Sequence, residues 1–273
     1  MPEVKHLFAE LDQKLIQLLK TLRPEDWEKP TVAKRWQVKD VVAHLLDGNL
    51  RVLSMQRDRY FGEQPPAISA YPDLVNWLNQ LNADWVKACK RISPGVLILL
   101  HEITGPLVSA YYQSLNLQEK AIFPVAWAGE QESLNELHLA REYTEKWLHH
   151  QQIREAVNQP GILTKKFFYP FISTFMHGLA ATYQHVNAEE GTTVQISVTT
   201  AAGGNWFLVR KAAQWTLLKA VTNKPDTQVI ISPAIAWKLF SKSIRPEQIR
   251  NQVAIAGNKA LGEVSLEMIS VMA

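Results

Sequence analysis

The hydrophobic period of this chain changes once, near Asn187-Ala188-Glu189-Glu190-Gly191, and that change limits the fold more than any other feature. Before it, apolar residues recur at steps of three and four. Leu7, Leu11, Leu15, Leu18 and Leu22 form one such stripe, the spacing of a helix with a single buried face. After it come short β-prone runs: VQISVTT, NWFLVRK, QWTLLKA, TQVIIS and VAIAG. The pattern predicts an N-terminal helical bundle over residues 1–188 and a smaller C-terminal α+β domain over 189–273. At 273 residues the chain is comfortable for two domains.

Within the first part, helices are expected over about 38–59, 73–91, 93–113, 134–157 and 170–186. The segment GEQPPAISAYP should be a loop, because its Pro and Gly residues cannot continue a helix. Gly105-Pro106 is expected to kink or split the fourth helix, and FPVAWAGEQES (123–133) to be irregular. In the second part, Gly203-Gly204 suits a hairpin, and Ser232-Pro233 marks a helix start with Pro at its first position. A last helix is expected over 259–272.

Several functions have no support. The net charge is +3, and no dense basic run interleaved with aromatics occurs, so no nucleic-acid partner is expected. The N-terminus carries charges throughout, and no apolar run approaches a membrane span, so neither a signal peptide nor a membrane partner is expected. The single Cys89 fits a reducing cytoplasm and excludes a thiolate-rich zinc site. Its helical surroundings predict a buried, inert thiol. No GxSxG, Walker A or GxGxxG sequence occurs.

Chemistry concentrates in REYTEKWLHHQQIREA, a stretch without Gly or Pro. Glu145 and His149 stand four apart, so on a helix both point the same way. A carboxylate and an imidazole on one face can share a divalent ion. His44, in WQVKDVVAHLLDGNLR, is the best third ligand: it borders the stripe of Val41 and Leu45, and bundle metal sites are built from inward side chains of facing helices. A His-Glu-His set leaves coordination positions open and suits Zn²⁺, Ni²⁺, Fe²⁺ or Mn²⁺. By itself E-x-x-x-H is a weak motif, since such pairs often form only solvated contacts of a few tenths of a kcal/mol.

The neighbours compete. His150 is turned by about 100° from His149 and reads as surface or rim. His138 lies about 10 Å along the axis from Glu145, too far to share an ion, and Glu142 is placed to pair with it. Asp40 and Asp47 flank His44, as orienting acceptors or, for Asp40, as a helix N-terminal charge. His6, His101, His177 and His185 have no supporting spacing. Trp127 is a candidate pocket wall, with plain core packing as the competing reading.

WQVKDVVAHLLDGNLR together with TEKWLHHQQIREA resembles the paired signatures of the DinB-like superfamily, and more closely those of the mycothiol-dependent maleylpyruvate isomerase family. The resemblance implies a four-helix bundle holding a divalent metal, usually zinc, at His44, Glu145 and His149. It also implies a low-molecular-weight thiol as cofactor and a small-molecule electrophile as substrate, for isomerisation or S-transfer. ISPAIAWKLFSKSI and VAIAGNKALGEVSLEMISVMA are similar to that family's small sterol-carrier-like domain. Gln152 departs from the pattern, in which Asp usually precedes the Ile-Arg pair. Neither Arg210 nor Arg245 sits in a motif matching the substrate-binding Arg of the isomerase. A metal-assisted hydrolase and a non-catalytic small-ligand-binding protein remain the alternatives.

Overall fold

A computed structural model of the protein describes residues 3–123, 125, 132–212 and 214–268. The chain divides into two compact units. One comprises Glu3–Ile122 with Leu134–Gly161, and the other Phe123–Ser133 with the chain from Ile162 onward.

The first unit is helical. Its helices are α1 (Leu7–Thr21), α2 (Val38–Arg51), α3 (Tyr71–Cys89), α4 (Pro94–Ser114) and α5 (Asn135–Ala156). Helix α4 packs on α1 and α2, and α5 packs on the same two, so these four close a ring; α3 lies against α2. The Leu stripe of α1 behaves as its spacing predicts, with Leu7, Leu11, Leu15 and Leu18 all buried. Leu15 and Leu18 pack in one core cluster with Val41, Val42, Leu45 and Leu46 of α2, Leu97 of α4 and Ile153 of α5.

Helix α4 is not split. It runs unbroken through Pro106. Gly105 is there for close packing: a Cβ at this position would stand 3.2 Å from Asp12 Oδ2 on α1. The second expected helix also ends differently. After Arg51 the backbone widens into a π-helical turn over Val52–Arg57. Such turns are rare and concentrate at functional or strained places.

The second unit contains α6 (Lys165–Phe175), α7 (Leu179–Thr182), β1 (Thr193–Val198), β2 (Gly204–Lys211), β3 (Gln214–Leu218), β4 (Thr227–Ile231), α8 (Pro233–Phe240), β5 (Val253–Gly257) and α9 (Lys259–Val264). The sheet order is β3-β2-β1-β4-β5; β1 and β4 run parallel and the other pairs antiparallel. All five β-prone runs are strands. The β1–β2 hairpin closes at Gly203, where a Cβ would fall 2.0 Å from the Val198 carbonyl oxygen. The division between units falls earlier than the 188 read from the sequence, because α6 packs with the sheet. Tyr169 stacks on Trp206 of β2 with ring centroids 5.7 Å apart, and Trp206 Nε1 donates to Ser173. The C-terminal helix expected over 259–272 is shorter: α9 ends at Val264, a 3₁₀ turn follows over Ser265–Glu267, and residues 269–273 lie outside the described residues. Among the described residues, no helix is long and apolar enough to cross a membrane.

Candidate metal centre

The start of α2 sets the rotation of His44. Asp40 Oδ2 accepts the Gln37 backbone N–H at 3.1 Å, and Asp40 Oδ1 pairs with Lys90 at 2.6 Å. Asp40 is thus an N-terminal cap for α2. With Val41 and Leu45 buried, His44 lies at the edge of the stripe that meets α5, its side chain 13% exposed. The far end of α5 is held by Arg154. Its Nη1 donates to the Gln159 and Pro160 carbonyls, its Nη2 to the Lys14 carbonyl of α1, and its Nε to His150.

Between these anchors the three expected ligands come together. His44 Nε2 lies 3.1 Å from Glu145 Oε1, and His149 Nε2 lies 3.0 Å from the same oxygen. One donor atom from each of the three residues falls within 4.8 Å of the others. Metal–ligand lengths near 2.1 Å in a tetrahedral zinc shell put donors about 3.4 Å apart, so each of the two His–Glu separations lies within a few tenths of an ångström of what a divalent ion needs. Trp36, in the turn before α2, lies over both imidazoles, 4.7 Å from the His44 ring and 6.0 Å from the His149 ring. The Glu145 side chain is 50% exposed.

The electrostatics follow from two imidazoles sharing one carboxylate oxygen. Burial alone raises the Glu145 pKa, but the charge and hydrogen bonds of His149 and His44 outweigh it and hold the carboxyl well below its ordinary range. Burial depresses His44, which stays neutral despite its hydrogen bond to Glu145. For His149, burial is outweighed by the charge of Glu145 and by hydrogen bonds to Glu145 and Gln152, and its pKa is raised.

Other expected residues fall outside the centre. His138 is fully buried about two turns from Glu145, near Glu142 as expected (3.9 Å), but its hydrogen bonds go to Gln56 and Arg141. His150 is not at the surface: it is fully buried and accepts from Arg154 at 2.9 Å. The physical reason is that α5 buries side chains around most of its circumference, polar ones included. Asp47 pairs with Arg51 rather than with an imidazole nitrogen. His101 Nε2 donates to the Val42 carbonyl at 3.0 Å, and His6, His177 and His185 are exposed. Cys89 is buried, and burial pushes its thiol pKa up, as expected of an inert cysteine. Trp127 lies outside the described residues.

Sequence reasoning met Gln152 only as a departure from the family pattern and missed the other participants. Gln152, one turn beyond His149, places Oε1 at 2.8 Å from His149 Nδ1; the i,i+3 spacing was the available signal. Gln56 reaches His138 at 2.9 Å from the π-helical turn, which no periodicity announces. A buried network carries Lys146 Nζ to Asp12 Oδ1 (2.5 Å) and Asn49 Oδ1 (3.2 Å), and Asn49 Nδ2 to Thr104 Oγ1 (3.0 Å), tying α5, α1, α2 and α4 together.

Residues 8–154 match the family model described as the mycothiol maleylpyruvate isomerase N-terminal domain. No curated protein matches the sequence. Among solved structures, a mycothiol-dependent maleylpyruvate isomerase in single-mutant form superposes with a TM-score of 0.54 at 12% identity, covering 94% of this chain and 93% of its own. A second structure titled as this isomerase gives 0.51 at 13% identity, covering 88% of each chain. At such identities the likeness concerns the fold.

Proposed function

The chain belongs to the mycothiol maleylpyruvate isomerase N-terminal domain family, and from that premise we propose that it is a divalent-metal-dependent enzyme that brings a low-molecular-weight thiol to a small electrophile, for isomerisation or S-transfer. The observation that supports this most is the convergence of His44, Glu145 and His149 donor atoms from two packed helices. These three residues would hold the metal, with zinc the best match to two imidazoles and a carboxylate, and nickel next. A divalent cation held there supplies Lewis acidity that lowers the pKa of a thiol reaching its open positions.

The chain's own residues do the rest. Trp36 closes one side of both imidazoles against water. A thiol and an electrophile approach from the side of the half-exposed Glu145. The Asp12–Lys146–Asn49 network fixes the rotation of α5, and with it the direction of Glu145 and His149. Such an enzyme works in a reducing cytoplasm, where a thiol pool is maintained and Cys89 stays unpaired. For the α+β unit it carries forward the sterol-carrier-like resemblance of its sequence.

The deciding experiment is metal content by mass spectrometry on untagged protein purified without added metal, for the wild type and His149→Ala in parallel. Near-stoichiometric metal in the wild type, lost in the variant, is the expected result. Failure of the wild type to bind added Zn²⁺ or Ni²⁺ overturns the proposal and favours a binding role. Thiol binding then separates the enzyme readings: a thiol transferase shifts the spectrum of the cobalt-substituted protein on adding thiol, whereas a hydrolase turns over esters or amides without one.

A further inference from the structure

The two imidazoles of the centre are not equally supported. His149 Nδ1 lies 2.8 Å from Gln152 Oε1, and Gln152 is buried at 4% exposure. His44 Nδ1 is buried and has no hydrogen-bond partner among the described residues. One imidazole therefore has its outer nitrogen fixed by a side chain, and the other packs against the tilted ring of Trp36.

We propose that Gln152 is the positioning residue of this centre: its side-chain oxygen keeps a proton on His149 Nδ1, so that Nε2, which faces Glu145 and His44, is the nitrogen that gives up its proton to meet a divalent cation. The inference rests on reading the triad as a metal centre. A neutral imidazole carries one ring proton, and the acceptor met by one nitrogen decides which atom keeps it. Gln152 is three residues on from His149, on the same side of α5, and its burial keeps water from substituting for the amide oxygen. The same contact resists rotation of the ring about its own axis, which would carry Nε2 away from the other donors. Because Gln152 is neutral, Glu145 is, among the described residues, the only carboxylate hydrogen-bonded to the two imidazoles. The loaded centre then keeps a net positive charge and favours an anionic incoming group such as a thiolate over a neutral one.

The test compares the wild type with Gln152→Leu, Gln152→Asn and Gln152→Glu. Zn²⁺ affinity is measured by competition with a chelating dye, and the ring proton is located by ¹⁵N NMR of the zinc-loaded protein. Loss of an outer acceptor typically weakens metal binding about 10–100-fold. That loss is expected for Gln152→Leu, and also for Gln152→Asn, whose amide is one carbon too short. Gln152→Glu should bind at least as tightly as the wild type, since its carboxylate accepts the same proton. The wild-type spectrum should show the proton on His149 Nδ1. Should Gln152→Leu fail to fold, Gln152→Asn carries the same expectation. Unchanged affinity in the folded Leu or Asn variant overturns the positioning role and leaves the metal centre standing. Absence of Zn²⁺ binding in the wild type overturns both.

Discussion

Replacing His138 by glutamine should flatten the acid limb of the stability curve. His138 is fully buried; its Nε2 donates to Gln56 Oε1 at 2.9 Å and its Nδ1 accepts from Arg141 Nη2 at 2.9 Å. A second proton has nowhere to go. Burial is the main cause, and with the Arg141 charge it overrides the pull of Glu142 and holds the pKa at about 4, against an ordinary 6.5. The folded value lies below the unfolded one, so His138 costs nothing above pH 6.5, where it is neutral in both states. Between pH 6.5 and 4 the unfolded chain takes the proton and the folded chain does not, so stability falls as pH falls. The gap between those values, at 1.36 kcal/mol per pH unit, amounts to about 3 kcal/mol. Burial depresses His101 and His150 in the same direction, so the wild-type limb sums several residues. His138→Gln should remove about 3 kcal/mol of that pH dependence, whatever it costs at neutral pH. Urea unfolding followed by far-UV circular dichroism from pH 7.5 to 4 measures it. Proton NMR of the His138 ring should show no titration above pH 5. An equally steep fall in both proteins, or a ring that titrates near 6.5, refutes the reasoning.

Two further substitutions test the frame that holds the centre. Lys146→Met removes the ammonium that faces Asp12 and Asn49 and strands a buried carboxylate, an error that costs about 3–5 kcal/mol. Adding Asp12→Leu should recover most of that loss in chemical denaturation, and a single-variant cost below about 1 kcal/mol would contradict a dry ion pair. Arg154→Lys should lower stability by about 2 kcal/mol, because one ammonium cannot replace a planar fork that serves three carbonyls and an imidazole. A thermal midpoint equal to the wild type would show that these carbonyls find water instead.

How much of this was legible in the sequence depends on the range of the interaction. The Leu stripe of α1 and the β-prone runs report on their own neighbourhoods, and both became the expected elements. Glu145 and His149 could be paired because four residues is a helical repeat. His44 lies 101 residues from Glu145, and no spacing rule spans that distance; its place came from the flanking stripe and the family resemblance. Helix α5 defeated the helical-wheel argument for His150, because a wheel sorts faces only when one face is wet, and here polar side chains are buried on several. Gly105-Pro106 looked like a break because the sequence does not show that α1 comes close enough to need a residue without a Cβ.

The wide turn at Val52–Arg57 has a consequence for how such a chain can vary. It lies after Arg51, so a one-residue deletion within it leaves the α2 segment that carries His44 untouched. The same deletion turns Gln56 by about 100° and withdraws it from His138. Length changes at this point are thus a way to alter the surroundings of His138 without disturbing His44, Glu145 and His149. Related chains that differ by one residue here should share the triad and differ in the side chain that meets His138.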